Sequence, residues 1–288
     1  MTNNGSPGRQ TGNEPLGSAE LEELCAIIYA RTGMVFGESK RYYIERRITD
    51  LMEASGAASV RAYVAMLKDD PRAVEPLINS FTVNETYFYR EEHQLACLSR
   101  SILPDIIRTK KPGDRIRIWS MPCSSGEEPY SVAIWLLENW ALVDAYNVEI
   151  IGSDIDTAIL KQAAEAVYSQ RSLSRLPDAV VRRYFEPEQD LQRRLIGDLR
   201  ESVSFVKANL VDRASLSALG KFDVIFCRNL LIYFDDAARE TAVDNLHDFL
   251  APGGYICLGH TESMTRISGL FEAARFPDAI VYRRAGGA

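Results

Sequence analysis

The stretch Phe222-Asp-Val-Ile-Phe-Cys-Arg-Asn-Leu-Leu-Ile-Tyr-Phe234 begins with a short apolar run and then turns to the polar side chains Arg228 and Asn229. An apolar run of this length is typical of a strand that is buried on both faces of a sheet. Other strand patterns lie at Arg115 to Trp119, Val148 to Gly152 and Tyr255 to Leu258. Helical patterns alternate with the strands, at Glu127 to Trp140, Thr157 to Val167 and Asp236 to Leu250. The alternation predicts an α/β fold, with a parallel sheet that helices cover on both faces.

Two segments depart from this alternation. Between about residues 168 and 203, a short helical pattern and a charge-rich stretch predict a small inserted subdomain. Near the C-terminal end, Phe271 to Arg283 contains two strand-like segments joined by Pro277 and Asp278. Because Pro-Asp favours a tight turn, this segment predicts an antiparallel edge on the sheet.

The chain before residue 114 has a helical pattern and requires no strand. Apolar residues recur at three- and four-residue spacing in four predicted helices, at Ser18 to Gly33, Lys40 to Ser55, Ser59 to Lys68 and from about Pro71 onward, with Ser18 and Ser59 as predicted N-caps. In the second helix the apolar stripe includes Ile44 and Ile48, which places Tyr43, Arg46 and Arg47 on a basic, aromatic outer face. We therefore predict a disordered tail at residues 1–17, a helical domain at 18–95 and a sheet domain at 96–288.

The composition argues against several classes of protein. The 288 residues include 33 Lys and Arg against 40 Asp and Glu, whereas domains that bind nucleic acids are usually basic. The N-terminal stretch has no signal-peptide core, and no segment approaches the ~20 apolar residues of a membrane span. The five cysteines are scattered and the three histidines are isolated, a pattern that indicates neither a disulfide framework nor a metal site. We expect a cytoplasmic protein without a metal, a nucleic-acid partner or direct membrane insertion.

Polar residues that directly follow predicted strands are the candidate ligand contacts, because ligands of such sheets bind at the carboxyl ends of the strands. Asp154 and Asp156 follow the second strand. Asp156 suits the N-cap of the next helix, which leaves Asp154 to accept hydrogen bonds from the hydroxyls of a ribose. Arg228 and Asn229 follow the fourth strand, where burial without partners would be costly. A purely structural role is the alternative for each.

Two further segments are candidates with structural alternatives. Ser120 to Tyr130 joins the first strand to its helix through small residues, but its single glycine is too few for a dinucleotide-type phosphate loop, so an ordinary turn is the alternative. Asn84, Thr86 and Arg90 lie among aromatic residues at the seam between the two domains. A simple cap at a helix end is the alternative there.

Together these segments resemble the CheR family of chemoreceptor glutamate methyltransferases, from about residue 20 to the C-terminus. The set of motifs is specific in its order and spacing, although each fragment alone is not: Thr82-Val-Asn-Glu-Thr-Tyr-Phe-Tyr-Arg-Glu91, Arg117-Ile-Trp-Ser120, Ser125-Gly-Glu-Glu-Pro-Tyr-Ser131, Ser153-Asp-Ile-Asp156, Val206-Lys-Ala-Asn-Leu210 and Phe222 to Phe234. The resemblance implies a Rossmann-like sheet that binds S-adenosylmethionine, an N-terminal all-helical domain and a small β-subdomain inserted in the sheet domain.

The resemblance also implies roles for individual residues. Tyr233 would line the acceptor site, and the catalytic residues would be Arg90, Asn229 and Tyr233. Arg46 and Arg47 would dock an acidic helical surface of a receptor's cytoplasmic domain, with a solvated charged face as the alternative. The residues implied to contact the cofactor are Asn84, Thr86, Arg90, Glu127, Glu128, Asp154, Asn209, Leu210, Arg228 and Asn229.

The implied reaction transfers a methyl group from S-adenosylmethionine to receptor glutamates, which leaves S-adenosylhomocysteine and glutamate methyl esters for sensory adaptation. Methylation of another protein or of a small carboxylic acid is one alternative, and an inactive module that senses S-adenosylmethionine is another. Enteric members of the family carry a glycine-rich loop that binds a pentapeptide at the receptor's tail. Because Glu186 to Arg194 contains no glycine, we expect no dependence on such a peptide.

Overall fold

The computed structural model describes residues 16–284. Most of the predicted disordered tail, residues 1–15, lies outside the described residues. Leu16 does not belong to such a tail, because its side chain is buried in the core of the helical domain and its carbonyl oxygen accepts a hydrogen bond from Arg41. Leu16 and Gly17 therefore belong to the folded helical domain and not to the predicted tail.

The helical domain consists of α1 (Ser18–Thr32), α2 (Arg41–Ser55), α3 (Val60–Asp69) and α4 (Pro71–Phe81), with a short 3₁₀ turn at Glu38–Lys40. The hydroxyl of Ser59 caps α3, as predicted, by accepting a hydrogen bond from the backbone nitrogen of Ala62. The predicted cap of α1 is wrong by one residue. Gly17 is the N-cap, and its backbone nitrogen donates to the Glu20 carboxylate at 3.0 Å.

The described chain from residue 82 to residue 284 contains nine further helices and nine strands. A continuous helical stretch begins at Glu92, passes through a π-helical turn at Leu98–Ile102 and ends in a 3₁₀ turn at Ile107–Thr109. Further 3₁₀ turns lie at Val143–Ala145, Leu231–Tyr233 and Met264–Arg266. The helices are α5 (Glu92–Cys97), α6 (Leu103–Ile106), α7 (Glu127–Asn139), α8 (Thr157–Glu165), α9 (Gln170–Leu173), α10 (Asp178–Tyr184), α11 (Gly197–Glu201), α12 (Arg213–Leu216) and α13 (Asp236–Phe249). The strands are β1 (Arg115–Ser120), β2 (Asn147–Asp154), β3 (Val167–Ser169), β4 (Gln192–Arg194), β5 (Val203–Lys207), β6 (Phe222–Cys227), β7 (Leu250–Leu258), β8 (Phe271–Arg275) and β9 (Ile280–Arg284).

Seven strands form the central sheet in the order β5-β2-β1-β6-β7-β9-β8. The first five strands in this order, β5, β2, β1, β6 and β7, pair in parallel. Strands β9 and β8 continue the sheet as an antiparallel edge. This arrangement confirms the predicted parallel sheet with its antiparallel C-terminal edge. The chain runs outward from β1 to β2 and β5, and then crosses to β6 on the other side of β1. The carboxyl ends of β1 and β6 therefore flank a switch point, where sheets of this kind bind ligands.

The hydrophobic cores place the domain boundary earlier than predicted. Phe81 belongs to the core of the helical domain, whereas Phe88 and Leu95 belong to the core of the sheet domain. The predicted boundary between residues 95 and 96 would therefore cut through α5. The linker lies between Phe81 and Phe88, because its side chains belong to neither buried core.

The two domains contact each other close to the switch point. Met34 forms an antiparallel bridge with Phe234, and the backbone nitrogen of Val35 donates to the carbonyl oxygen of Tyr233 at 3.2 Å. The hydroxyl of Tyr29 donates to Asp235 at 3.2 Å. The segment that follows β6 is therefore held by the segment that follows α1.

The inserted subdomain is a small antiparallel unit without a separate core. Strand β3 pairs with β4, and Phe185 bridges to Leu195 on the adjoining segment. Buried side chains such as Tyr168 and Leu195 belong to the same apolar cluster as the interior of the sheet domain. The insertion begins at β3 and ends before β5, because Val203 opens a strand of the central sheet.

Candidate active site

A small cavity of about 70 Å³ lies at the carboxyl ends of the parallel strands. The loops after β1, β2, β5 and β6 supply most of its wall, and the helical domain and the linker close it. The lining residues are Thr32, Met34, Thr82, Val83, Asn84, Met121, Pro122, Ser124, Asp154, Ile155, Ala208, Asn209, Leu210, Asn229, Leu230, Tyr233 and Phe234. The fold thus brings Asn84, Asp154, Asn209, Leu210, Asn229 and Tyr233 together, all of which were candidates from the sequence.

Asp154 ends β2 and is 3% exposed. Its carboxylate accepts hydrogen bonds from the backbone nitrogens of Ser124 at 2.9 Å and Asp156 at 3.0 Å. Burial raises the pKa of this carboxyl to about 6, although the backbone N–H donors counteract the rise. A carboxylate so placed has lone pairs left for a ligand that donates hydroxyl hydrogens.

The loop after β1 leaves a polar atom free beside Asp154. The hydroxyl oxygen of Ser124 is buried and has no hydrogen-bond partner in the described part of the chain, and Ser124 has a positive φ of 47°. On the neighbouring strand, a Cβ at Gly152 would lie 2.8 Å from the ring of Phe205. Glycine is therefore required at this position of β2, where the Phe205 ring of β5 lies against the backbone. An unpaired hydroxyl next to a carboxylate suits the polar edge of a nucleoside.

Asn209 and Leu210 form the wall contributed by the loop after β5. The Asn209 side chain donates to the carbonyl oxygen of Arg31 at 2.8 Å and accepts from the backbone nitrogen of Val211 at 3.2 Å. Leu210 is 1% exposed and gives the cavity an apolar surface. The amide of Asn209 thus ties the helical domain to the cavity wall.

Asp156 connects the linker to the sheet. One of its oxygens accepts from the backbone nitrogens of Ala158 and Ile159, which confirms the predicted cap of α8. The other oxygen accepts from the Thr82 hydroxyl at 2.7 Å and from the Asn84 side chain at 2.9 Å. The linker that covers the cavity is therefore anchored by the same carboxylate that begins α8.

Glu128 and Arg228 form a buried ion pair, with 2.7 Å between Oε2 and Nε. The other carboxylate oxygen of Glu128 accepts from the Ser120 hydroxyl at 2.7 Å, and Arg228 donates to the carbonyl oxygen of Arg90 at 2.9 Å. The ion pair compensates the cost of burying Arg228, because each charge has a partner of opposite sign. Neither residue is among those that line the cavity. Their contacts join β1, the residue that follows β6 and the segment between the linker and α5.

Two of the three predicted catalytic residues, Asn229 and Tyr233, line the cavity, whereas Arg90 is not among its lining residues. Asn229 has a left-handed φ of 58° and, like Tyr233, lines the cavity. Burial raises the pKa of Tyr233, while the nearby charge of Arg90 acts in the opposite direction. Arg90 donates to the carbonyl oxygen of Glu85 at 2.8 Å. Tyr233 therefore remains a neutral hydrogen-bond donor at neutral pH.

Glu262 is a residue that the sequence analysis missed. Its carboxylate accepts from the backbone nitrogens of Asn229 at 2.7 Å, Leu231 at 2.8 Å and Gly259 at 2.9 Å. Burial raises the pKa of this carboxyl, and the three donors oppose the rise. The position of Glu262 in the sequence could have indicated it, because Glu262 follows the carboxyl end of β7 and Asp154 lies at the carboxyl end of β2. Glu262 fixes the backbone of the loop that carries Asn229 and leads to Tyr233.

A second, open cleft of about 940 Å³ adjoins the cavity and shares Thr82, Val83 and Asn84 with it. Glu127 lines this cleft, and its buried carboxylate accepts from the hydroxyls of Ser172 at 2.5 Å and Ser125 at 2.6 Å. The full lining is Tyr43, Arg47, Thr82, Val83, Asn84, Glu85, Thr86, Tyr87, Ser125, Glu127, Ser169, Arg171, Ser172, Ser174 and Arg175. Thr86, another candidate from the sequence, thus faces the cleft rather than the cavity.

The predicted outer face of α2 requires a correction. Arg46 is exposed as expected, but Tyr43 packs against Phe81 with ring centroids 5.8 Å apart. The Arg47 guanidinium lies 3.8 Å from the centroid of the Tyr43 ring and donates to the carbonyl oxygen of Ser80. Helical spacing alone did not show that α4 and the linker pack beside this edge of α2. Arg46 thus faces solvent, whereas Tyr43 and Arg47 line the cleft.

Comparison with known proteins gives the same two-part division. Residues 19–82 match the family model described as CheR methyltransferase, all-alpha domain, and residues 84–280 match the CheR methyltransferase, SAM binding domain. The chain belongs to the CheR methyltransferase family. The predicted family and fold class are thereby confirmed, and the chain is an S-adenosylmethionine-dependent methyltransferase of chemotaxis. The junction between the two matches falls in the linker between the hydrophobic cores.

Two relatives illustrate how far the similarity extends. Chemotaxis protein methyltransferase 2 of Vibrio cholerae is 48% identical over 256 residues, which are 88% of each chain. Chemotaxis protein methyltransferase Cher2 of Pseudomonas putida is 30% identical over 274 residues, which are 93% of this chain and 98% of the relative. The similarity therefore covers both domains and not the sheet alone.

The residues of the cavity suit S-adenosylmethionine. The free Ser124 hydroxyl and the Asp154 carboxylate present acceptors and a donor to a nucleoside, and Leu210 offers an apolar wall. Within residues 16–284 there is no cluster of three or more His, Cys, Asp or Glu side chains that could hold a metal ion. No helix of this part of the chain is long and apolar enough to cross a membrane.

Proposed function

We propose that this protein methylates glutamate side chains in the cytoplasmic domains of chemoreceptors and so produces the methyl esters of sensory adaptation. One observation carries the proposal. A cavity suited to the cofactor shares the linker residues Thr82, Val83 and Asn84 with an open cleft that is large enough for a side chain of a protein substrate. The match to the CheR family supports the reaction, and the basic side chains around the cleft support an acidic substrate.

In this proposal the cofactor contacts are those that the resemblance implied. Asp154 holds the ribose hydroxyls, and Asn209 and Leu210 lie along the adenine. Asn84, Thr86, Arg90 and Glu127 serve the amino-acid end, which faces the cleft. Glu128, Arg228 and Asn229 complete the set, although the ion pair of Glu128 and Arg228 favours a supporting role in holding the loops. When bound, S-adenosylmethionine supplies an electrophilic methyl group.

The residues on the acceptor side position a carboxylate rather than remove a proton. A glutamate carboxyl has an ordinary pKa near 4.3 and is already ionised at neutral pH. No general base is then needed, which agrees with a cavity and a cleft whose described lining residues include no histidine. Tyr233, Asn229 and Arg90 orient the carboxylate and exclude water from it. Precise positioning alone can supply up to ~7–11 kcal/mol of the activation barrier.

Two alternatives use the same cofactor cavity. A small carboxylic acid or another protein could be the methyl acceptor, or the chain could sense S-adenosylmethionine without catalysis. The open form of the cleft and the exposed Arg46 favour a protein acceptor over a small molecule. The presence of Asn229 and Tyr233 in the cavity wall, with the charge of Arg90 close to Tyr233, favours catalysis over sensing.

The tail pentapeptide is not expected to be required. The segment from Glu186 to Arg194 folds as a tight hairpin whose turn residues, Asp190 and Leu191, have φ values of 51° and 61° without being glycine. Side chains therefore stand where the tethered members have a glycine-rich loop. Binding of the free pentapeptide, measured by calorimetry, and turnover of receptors with and without the tail test this point. Micromolar binding together with tail-dependent turnover would contradict it.

Transfer of a labelled methyl group tests the main proposal. The full chain is incubated with S-adenosylmethionine carrying a tritiated methyl group and with purified cytoplasmic fragments of chemoreceptors. We expect label on the fragment that mild alkali releases as methanol, because a glutamate methyl ester is base-labile. Label that resists alkali, or no label despite binding of the cofactor, would favour one of the alternatives.

A further inference from the structure

We infer that Arg175, on the inserted subdomain, recognises a negatively charged side chain that flanks the methylated glutamate of the protein substrate. The inference rests on the proposed function and adds a second contact surface to it. It assigns to the inserted subdomain a role in reading the substrate beside the reaction site. The ligand is an acidic peptide segment of the substrate itself.

The walls of the cleft come from separate parts of the chain. Helix α2 supplies Tyr43 and Arg47, the linker supplies residues 82–87, and the inserted subdomain supplies the segment from Ser169 to Arg175. The floor includes Asn84, which also lines the cofactor cavity. A glutamate that reaches the cavity through this cleft therefore brings its neighbours against both α2 and the inserted subdomain.

The charges of the cleft favour an acidic occupant. Two carboxylates line it, and both are engaged: Glu127 by two serine hydroxyls, and Glu85 by the guanidinium of Arg171 at 3.3 Å. Arg47 contacts only a carbonyl oxygen and an aromatic ring, so its charge has no acidic partner. Arg175 is exposed and has no hydrogen bond or ion pair in the described structure. The cleft thus presents two guanidinium groups without an acidic partner.

The backbone position of Arg175 favours specific recognition over a general effect of surface charge. It lies two residues beyond α9, whose Ser172 and Leu173 are buried against the sheet domain. The backbone that carries Arg175 is therefore anchored, and Ser172 is bonded to Glu127 at the floor of the cleft. A guanidinium on an anchored backbone binds a carboxylate with two parallel hydrogen bonds when the partner approaches in its plane.

A matched pair of variants tests the inference. Arg175→Glu reverses the charge in the cleft, and Arg182→Glu reverses an exposed arginine of the same subdomain, on α10, that does not line the cleft. Both are made in the full chain, and methylation of a chemoreceptor cytoplasmic fragment is measured at low and high salt. We expect Arg175→Glu to raise the KM for the fragment by about five- to tenfold at low salt, with little change in kcat, and Arg182→Glu to change it less than twofold.

Two further measurements separate this inference from the proposed function. Binding of S-adenosylhomocysteine should be the same in both variants and the parent chain, because Arg175 does not line the cofactor cavity. Direct binding of the receptor fragment is followed by fluorescence anisotropy without methyl transfer. If the parent chain does not methylate the fragment but binds it, and only Arg175→Glu weakens that binding, the proposed function fails and the recognition surface stands. An equal KM in parent and Arg175→Glu, or an equal loss in both variants, would overturn the surface and leave the function untouched.

Discussion

The cofactor cavity and the cleft are neighbours that share three linker residues, yet they are built in different ways. Loops at the ends of buried parallel strands form the cavity, and its carboxylate, Asp154, is 3% exposed and held by backbone donors. Long side chains form much of the cleft, and its ion pair between Arg171 and Glu85 is 87% and 73% exposed. In the proposed function, the fold therefore sets the cofactor contacts, whereas single exposed side chains of the cleft set which substrate is accepted. Substitutions around the cavity should therefore have large effects on stability, cofactor binding or rate that do not depend on salt. Substitutions around the cleft should have smaller effects on methylation of the substrate, and high salt should abolish them.

The largest effect is expected at the ion pair that supports the cavity. Arg228→Met should lower the free energy of unfolding by about 3–5 kcal/mol, because it leaves the buried carboxylate of Glu128 without a cation. Unfolding by urea, followed by circular dichroism, measures the loss. The double variant with Glu128→Gln removes both charges and should be less destabilised than Arg228→Met alone. A loss below about 1 kcal/mol in the single variant would show that the pair does not support the loops.

Asp154→Ala tests the cavity itself. Loss of hydrogen bonds to a charged group should weaken binding of S-adenosylmethionine by about 1.5–3 kcal/mol, measured by titration calorimetry at pH 8. Asp144→Ala is the control, since Asp144 is exposed and precedes the opposite end of β2. Equal affinity in Asp154→Ala and the parent chain would remove this carboxylate from the cofactor site.

The pH dependence of the same site follows from the raised pKa of Asp154. In the proposed binding mode the ribose hydroxyls donate to the ionised form of Asp154. Affinity should therefore be constant well above pH 6 and fall as the pH decreases through about 6. In the free protein, the contribution of Asp154 to stability has the opposite pH dependence. The folded pKa lies above the ordinary 3.8, so this group's contribution to stability is greatest below about pH 4 and is lost as the pH rises through 6. Asp154→Asn should abolish the pH dependence of binding.

A smaller effect is expected at the carboxylate that the sequence analysis missed. Glu262→Ala leaves the backbone nitrogens of Asn229, Leu231 and Gly259 without their acceptor. The loop that leads to Tyr233 should then move, which we expect to cost about 1–2 kcal/mol of transition-state stabilisation, or roughly tenfold in kcat. Glu262→Gln, which keeps one acceptor oxygen, should recover part of the rate. The exposed Glu272 of β8 provides the control substitution, and an equal loss in Glu262→Ala and Glu272→Ala would contradict the positioning role.

The cavity could be predicted from the sequence much better than the cleft. Apolar runs such as Phe222 to Cys227 mark strands, strand ends meet at one edge, and so Asp154 and Asn229 could be placed together before the structure was known. The motif order then identified the family. These signals are local in the chain, and the parallel sheet brings them together with little freedom.

The features that the sequence did not predict all depend on contacts between distant segments. Tyr43 and Arg47 turn toward the cleft because α4 and the linker pack beside α2, which helical periodicity cannot show. The ion pair of Arg228 with Glu128 joins residues that lie far apart in the chain, and so does the hydrogen bond from the backbone nitrogen of Asn229 to the Glu262 carboxylate. The domain boundary was placed too late for the same reason, since only packing shows which core contains Phe88.

The smallest effect is expected at the outermost residue of the proposed docking surface. Arg46 is exposed on α2 and has no partner in the described structure, so its charge acts on the substrate mainly through long-range attraction. Arg46→Glu should slow methylation of a receptor fragment by about two- to fivefold at low ionic strength, and high salt should remove the difference because exposed charges are screened. Arg61→Glu, on an exposed position of α3, is the matched control and should have a smaller effect at any salt concentration. Initial rates at several ionic strengths, with substrate well below KM, decide between the two outcomes. If the two variants lose rate equally and in parallel as salt is lowered, the attraction belongs to the net charge of the helical domain, and the docking surface is confined to the cleft.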